Sequence, residues 1–209
     1  MNNKGLLMII SGFSGAGKGT VVNRLLDKYG DFYVLSISAT TRPPREGEVH
    51  GREYFFKTRE EFESMISNDE LIEYARYVDN FYGTPKDYVE EKLNEGCNVI
   101  LEIEIQGALK VKKIFPEAVL IFLFPPTVDE LEKRLKNRGT ETDQVITERM
   151  SRACKEIESA YDYDYIVIND DIEECTDAIH GMINAEKLKV SRQKDFIDKI
   201  RKDLVGQYC

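Results

Sequence analysis

Gly12-Phe13-Ser14-Gly15-Ala16-Gly17-Lys18-Gly19-Thr20 follows the apolar run Leu6 to Ile10 and precedes the helix-compatible stretch Val21 to Tyr29. Glycines at these spacings let the backbone turn tightly and aim several N–H groups at one anion. The following helix adds its positive N-terminal end, and Lys18 adds a point charge. The segment reads as a strand, loop and helix that cradle the phosphates of a nucleoside triphosphate. A hydroxyl usually stands directly after the lysine, but here Gly19 intervenes before Thr20. The plain alternative is a glycine-containing turn with a surface lysine, and the strand before it and helix after it weigh against that.

Working outward, apolar runs rich in β-branched residues recur at Leu6 to Ile10, Val99 to Ile103, Val119 to Phe124 and Tyr165 to Ile168, separated by stretches with helical character. This alternation predicts an α/β fold with a parallel β-sheet flanked by helices. Thr58-x-x-Glu61 and Thr127-x-x-Glu130 have the form of capping boxes and predict helices over Arg59 to Ile66 and Val128 to Asn137. Between about Thr40 and Gly96 the alternation breaks. A turn-rich basic segment, short aromatic strands at Glu53 to Phe56 and Leu71 to Val78, and a helix near Lys86 to Asn94 predict an inserted small lobe. The polar stretch Arg138 to Asp143 predicts a flap between two helices, and the chain after Asp170 is charged and helix-prone to its end.

The 209 residues are 42% hydrophobic, enough for one sizeable core with insertions. With 29 basic against 38 acidic residues the net charge is −9, which disfavours extended binding to nucleic acid or to an anionic membrane. No apolar run nears the roughly 18 residues that span a bilayer, and Met1 to Gly5 carries no signal-peptide pattern, so a cytoplasmic protein is expected. Cys97, Cys154, Cys175 and Cys209 form no C-x-x-C pair and are read as free thiols.

Arg42 and Arg45 flank Pro43-Pro44, which stiffens the loop that aims two guanidinium forks. Such forks suit phosphate oxygens, and Tyr54 and Tyr82 offer hydroxyls to complete a monophosphate clamp. A solvated basic loop beside two core-edge tyrosines fits the same residues. Combined with the phosphate cradle, a second anion site implies a two-substrate enzyme in which a donor triphosphate faces an acceptor phosphate.

Several separate motifs now stand in order: the cradle, Ser36 to Glu48, Gly51 to Phe56, Ile72-Glu73-Tyr74, Tyr82-Gly83-Thr84 and Leu101 to Gly107. From about Gly5 to Ile183 the chain closely resembles the guanylate kinase family. The resemblance implies a P-loop NTPase core with an inserted small mixed α/β GMP-binding lobe and a lid. In this sequence the guanylate-kinase-like domain would run over 5–187, with core segments 5–37 and 97–187, a lobe at about 38–96 and a lid at about 137–150. A C-terminal helical extension would follow at 188–209. The implied reaction is ATP + GMP giving ADP + GDP, with Mg²⁺, dGMP being an expected second acceptor.

By the same resemblance, Lys18 and the backbone of Gly12, Phe13, Ser14, Gly15, Ala16, Gly17 and Gly19 would hold the ATP phosphates, and Thr20 would offer a hydroxyl to Mg²⁺. Arg42, Arg45, Tyr54 and Tyr82 would hold the GMP phosphate, and Ser38, Glu73 and Thr84 would meet guanine. Glu102 and Glu104 would lie near the metal and GMP. Arg138 and Arg149 would reach the transferring phosphoryl group, and Asn169 and Asp170 the adenine end of ATP. Catalysis would fall to Lys18, Arg45, Arg138 and Arg149. Two departures from the family stand out: Phe13 replaces a common proline, which is expected to alter loop stiffness more than activity, and glutamates fill both acidic positions.

The chemistry of Glu73 agrees with its implied role. A carboxylate only accepts hydrogen bonds, so it can pair with guanine N1–H and the 2-amino group, whereas adenine offers neither donor there. An alternative of another class is a catalytically inactive module that binds phosphorylated peptides; it would be expected to have lost cradle or lid residues, and Lys18, Arg138 and Arg149 are all present. Adenylate kinase shares the loop type but not the basic loop or Glu73. Oligomeric state, monomer or homo-oligomer, is left open by the sequence.

Overall fold

The computed structural model describes residues 4–77, 79–137 and 143–208. In chain order the elements are β1 (Leu7–Gly12), α1 (Lys18–Tyr29), β2 (Tyr33–Leu35), β3 (Ala39–Thr40), β4 (Phe55–Phe56), α2 (Arg59–Ser67), β5 (Leu71–Tyr77), β6 (Asn80–Pro85) and α3 (Lys86–Asn94). They continue with β7 (Asn98–Glu102), α4 (Ile105–Ile114), β8 (Val119–Phe124), α5 (Val128–Lys136), α6 (Asp143–Glu156), β9 (Tyr165–Ile168), α7 (Ile172–Lys187) and α8 (Lys194–Tyr208).

Five strands form a parallel sheet in the order β2-β7-β1-β8-β9. Its centre is dry on both faces, so β1 and β8 read as unbroken apolar runs rather than alternating ones. Within β1, Met8 and Ile10 join one core cluster with Val21 and Leu25 of α1 and Ile179 and Ile183 of α7. Leu7 and Ile9 point the other way, into a second cluster with Val89 and Leu93 of α3 and Ala108 and Val111 of α4. Each fully buried aliphatic side chain of this kind stabilises the fold by about 1.5–3 kcal/mol. Helices therefore cover both faces of the sheet, as the alternation predicts.

A second sheet, ordered β4-β3-β6-β5, carries the inserted segment around Ala39, Phe62 and Leu71. The Thr58 capping box is complete: Thr58 Oγ1 accepts from Glu61 N, and Glu61 accepts from Thr58 N. Thr127 likewise accepts from Glu130 N at the start of α5. The strand anticipated at Glu53 to Phe56 is only Phe55–Phe56, while the short β2 and β3 and the six-residue β6 are strands that the apolar pattern does not announce. α3 closes the segment by burying Val89 and Leu93 against the central sheet. Among the described residues no helix is long and apolar enough to cross a membrane.

Phe13 shows how the phosphate loop is tied to this core. Its ring is buried and meets Phe122 and Phe124 of β8 edge-on, with centroids 5.1 and 5.4 Å away. A proline here would stiffen the loop through φ, whereas phenylalanine stiffens it by anchorage. Phe13→Ala should lower unfolding free energy by about 3–5 kcal/mol. Denaturant midpoints check this, and a loss under about 1 kcal/mol would show that the ring is not an anchor.

Candidate active site

The site lies at the carboxyl ends of the parallel strands, where the crossover from β1 runs one way to β2 and that from β7 runs the opposite way to β8. The loop Phe13 to Gly17 leaves β1 and turns into α1. Gly17 caps that helix in the left-handed region at φ 92°. A Cβ there would fall 2.4 Å from Asn169 Nδ2, so glycine is required by both backbone angle and neighbour. Asn169 is buried and donates through Nδ2 to Ala16 O at 2.9 Å, and its own N–H donates to Phe124 O at 2.8 Å. It thus ties the loop to the end of β8. Asp170 beside it is exposed.

Lys18 Nζ donates to Gly12 O at 2.8 Å and to Phe13 O at 3.3 Å, arching back over the loop. From α6, Arg149 Nη1 donates to Ser14 Oγ at 2.8 Å. Arg134 of α5 was not among the residues singled out from sequence, yet it reaches the same place. Its Nε pairs with Glu130, while Nη2 donates to Asn169 O at 2.9 Å and Nη1 to Ala16 O at 3.5 Å. The signal in sequence was faint, because Glu130 and Arg134 stand four apart and read as an ordinary helix ion pair. Arg138 lies outside the described residues.

Beside the phosphate loop's end of the sheet lies a cavity of about 120 Å³ lined by Ser36, Ser38, Tyr54, Thr84 and Glu102, among others. Glu73 of β5 is buried, and Thr84 Oγ1 on neighbouring β6 donates to Glu73 Oε1 at 2.8 Å. Burial raises the Glu73 pKa above its ordinary value of 4.5, against smaller lowering effects of the Thr84 hydrogen bond and the Lys110 charge. A Cβ on Gly107 would lie 2.9 Å from Glu73 Oε2, so the bare backbone of α4 makes room for this carboxylate.

The basic loop has its own internal brace in Glu48, another residue to which sequence reading gave no role. Glu48 Oε1 accepts from Arg42 Nη2 at 2.8 Å and Oε2 from Arg45 N–H at 2.7 Å. Arg42, with the Arg45 N–H second, holds the Glu48 pKa below the ordinary carboxylate value. The Arg42 guanidinium lies 5.4 Å from the Tyr54 ring centroid, and the Tyr54 and Tyr82 rings are 6.1 Å apart. Arg42, Tyr54 and Tyr82 therefore form one cluster, with the exposed Arg45 beside it.

The two acidic residues diverge. Glu102, at the end of β7, faces the cleft and lies against the first turn of α1, where a Cβ on Gly19 would come within 3.6 Å of its Oε1. Solvent reaches it on the cleft side, but the protein around it desolvates the carboxylate enough to raise its pKa; Lys18 opposes that rise and Glu104 adds to it. Glu104 stands before α4 and approaches Arg152 of α6 at 3.8 Å. It thus links the start of α4 to α6. Thr20 is exposed on the first turn of α1.

A phosphate loop, a braced arginine pair and a buried carboxylate with a hydroxyl partner together suit two nucleotides meeting end to end. The chain matches the family model described as guanylate kinase over residues 4–186. It is 51% identical over 205 residues to a curated guanylate kinase of Caldanaerobacter subterraneus subsp. tengcongensis, covering 98% of this chain and 99% of that one. A curated guanylate kinase of Bacillus subtilis is 53% identical over 192 residues, covering 92% and 94%. The crystal structure of guanylate kinase from Anaplasma phagocytophilum superposes with a TM-score of 0.70 at 36% identity, covering 90% and 89%. With the fold, the cleft and these relatives in agreement, the chain belongs to the guanylate kinase family.

Proposed function

We propose that the residues around this cleft divide into a donor half and an acceptor half that carry out the family's ATP:GMP phosphotransfer. ATP and GMP are the substrates and ADP and GDP the products. The buried Glu73–Thr84 pair carries the assignment of the acceptor. Its carboxylate accepts from guanine N1–H and the 2-amino group, and AMP would leave it unpaired. A site built on such hydrogen bonds rejects the wrong partner by roughly 10⁴-fold. Ser38 and Thr84 meet the same base, and dGMP serves as a second acceptor.

Arg42, Arg45, Tyr54 and Tyr82 hold the GMP phosphate, with Glu48 keeping the two arginines apart in a fixed loop. The loop Gly12 to Gly19 and Lys18 hold the ATP phosphates, and Asn169 and Asp170 stand toward the adenine end. The acceptor phosphate is itself the nucleophile and is largely ionised at neutral pH, so the protein's work is positioning and charge. Lys18, Arg45, Arg149 and Arg138, which we assign to the lid at about 137–150, offset the repulsion between two polyanions. We add Arg134 to the donor half. The lobe at about 38–96 closes on the core, and closure excludes water that would hydrolyse ATP.

Among the described residues no three of His, Cys, Asp or Glu cluster as a protein-only metal cage. The oxygen donors Thr20 and Glu102 beside Lys18 suit Mg²⁺, which binds through one or two protein oxygens together with substrate phosphates and water. When bound there, Mg²⁺ would neutralise phosphate charge, and Glu104 lies in the outer part of the same site. The free thiols Cys97, Cys154 and Cys175 fit a reducing cytoplasm. The inactive peptide-binding alternative is not favoured, since the chain keeps its cradle and aligns with enzymes over nearly its whole length.

An assay of ADP release against a panel of nucleoside monophosphates tests the reading: turnover is expected with GMP and dGMP and not with AMP, CMP or UMP. Lys18→Ala should lower kcat by about 10²–10³-fold at unchanged thermal stability; near-wild-type turnover would remove Lys18 from the mechanism. Acid should weaken the acceptor selectively. The Glu73 pKa is raised, so the ionised carboxylate costs stability that returns as pH falls from its folded to its unfolded value. Guanine binding needs that ionised form, and its loss on acidification should therefore begin above pH 4.5. Calorimetric binding of guanosine, which has no titrating phosphate, reads this directly, and a pH-independent affinity down to 4.5 would contradict it. Gly107→Ala should raise KM for GMP at least about tenfold while leaving KM for ATP near wild type, by displacing Glu73; equal effects on both substrates would contradict it.

A further inference from the structure

Among the described residues three buried side-chain polar atoms lack a hydrogen-bond partner: Ser36 Oγ, Tyr163 OH and Arg192 Nε. Of these residues only Ser36 lines the cavity it shares with Ser38, Tyr54 and Thr84. A buried hydroxyl without a partner destabilises the unligated fold, and an occupant of the cavity would supply the partner. The backbone fixes its position. Ser36 N donates to Ile100 O at 2.9 Å, just past β2, and Ser38 O accepts from Phe55 N at 2.9 Å. Rotation about one side-chain bond then suffices to present the Ser36 hydroxyl to the cavity.

We propose that the Ser36 hydroxyl donates to N7 of the acceptor's purine ring, an inference that rests on GMP as the acceptor. A count of protons selects this atom. Guanine turns its N1–H and 2-amino donors to Glu73 and presents the acceptors O6 and N7 on its other edge. The neighbouring hydroxyls are already engaged as donors: Thr84 Oγ1 to Glu73 Oε1, Ser11 Oγ to Ile103 O and Thr40 Oγ1 to Phe81 O. Glu53 and Glu102 also line the cavity, but an ionised carboxylate only accepts. With Tyr54 assigned to the phosphate, Ser36 and Ser38 are the hydroxyl donors left for O6 and N7.

Strand register decides which serine meets which atom. β3 and β6 pair Ala39 with Gly83, so Ser38 stands one step further on, opposite Thr84, and Thr84 pairs in turn with Glu73 of β5. Ser38 therefore belongs beside Glu73, and O6 is the acceptor next to the N1–H that Glu73 holds. Ser36 precedes Ser38 by two residues, at the end of the central sheet and away from that pair, and takes N7, the acceptor further round the ring. Two recognition tasks are thereby separated. Every natural purine base carries N7 and no pyrimidine does, so Ser36 favours purine over pyrimidine while Glu73 selects guanine over adenine.

Calorimetric Kd values of the full chain for GMP and for 7-deaza-GMP, whose ring carries C–H in place of N7, test the assignment. The wild type should bind GMP about three- to tenfold more tightly, the ratio that one neutral hydrogen bond supplies. Ser36→Ala should weaken GMP by that factor and leave 7-deaza-GMP near its wild-type value, bringing the ratio to about one. Ser38→Ala should weaken both nucleotides and preserve the ratio. Without nucleotide, Ser36→Ala should melt between the wild-type temperature and about 4 °C above it, because an unpaired buried hydroxyl is removed. A wild-type ratio near one, a ratio that survives Ser36→Ala, or one abolished by Ser38→Ala overturns the proposal. So does an unligated Ser36→Ala that melts several degrees lower, which would make the hydroxyl a support of the fold. Failure of the acceptor reading shows separately, as a wild type that binds neither nucleotide, and takes this proposal with it.

Discussion

A chain of net charge −9 must hold two polyanionic nucleotides with their phosphates nearly touching. Overall charge works against that, so attraction has to be local. The parallel sheet supplies the means: its strands all end on one side, and the loop after β1 presents backbone N–H groups and the positive end of α1 there. Lys18, Arg134 and Arg149 converge on this loop from three helices, and Arg42 and Arg45 add two more cations on the inserted segment. Between them they build a basic pocket inside an acidic protein. The carboxylates in the cleft are few and each has a defined neighbour: Glu73 has Thr84, Glu102 has Lys18, and Glu48 has Arg42.

Four of these five cations share a physical state. Lys18 is bonded to loop carbonyls, Arg42 to Glu48, Arg149 to Ser14 and Arg134 to Glu130, Ala16 and Asn169. None must be gathered from free solution when a phosphate arrives. Binding exchanges a protein acceptor for a phosphate oxygen, which lowers the gross electrostatic gain and also lowers the side-chain entropy lost. Geometry is thereby fixed in advance, which matters for a reaction that depends on alignment more than on covalent help.

The parts of this structure legible in sequence share a cause. β1, β7 and β8 announce themselves because a parallel strand covered on both faces must be apolar along most of its length, whereas β9 is read from its β-branched composition, with Ile166 and Ile168 exposed at the sheet edge. α2 and α5 are announced by Thr58 and Thr127, whose hydroxyls have one local task. β2, β3 and β6 are hidden: β3 is two residues long, and β6 contains Gly83 and Pro85, which read as turn residues. In the site, residue type was informative where the chemistry is unusual, as for a lysine in a glycine loop or a carboxylate beside Tyr74. It was uninformative where a side chain acts through a distant partner. Phe13 depends on Phe122 and Phe124, Arg134 on Asn169, and Glu48 on the fold of its own loop. Asn169, assigned from resemblance to the adenine end of ATP, also clamps Ala16, a contact across 153 positions that no local pattern carries.

The polarity of the parallel sheet also gives the domain two unlike ends. Gly12, Glu102 and Asn169 stand at or just past the carboxyl ends of β1, β7 and β9. Leu6, Leu7 and Ala118, which border a second cleft, stand at the amino ends of β1 and β8. The chemistry-bearing side chains are thereby gathered at one end, because the packed strands between the two ends act as a rigid spacer. An antiparallel sheet of the same size would interleave strand ends of both polarities at each pole and offer no such division.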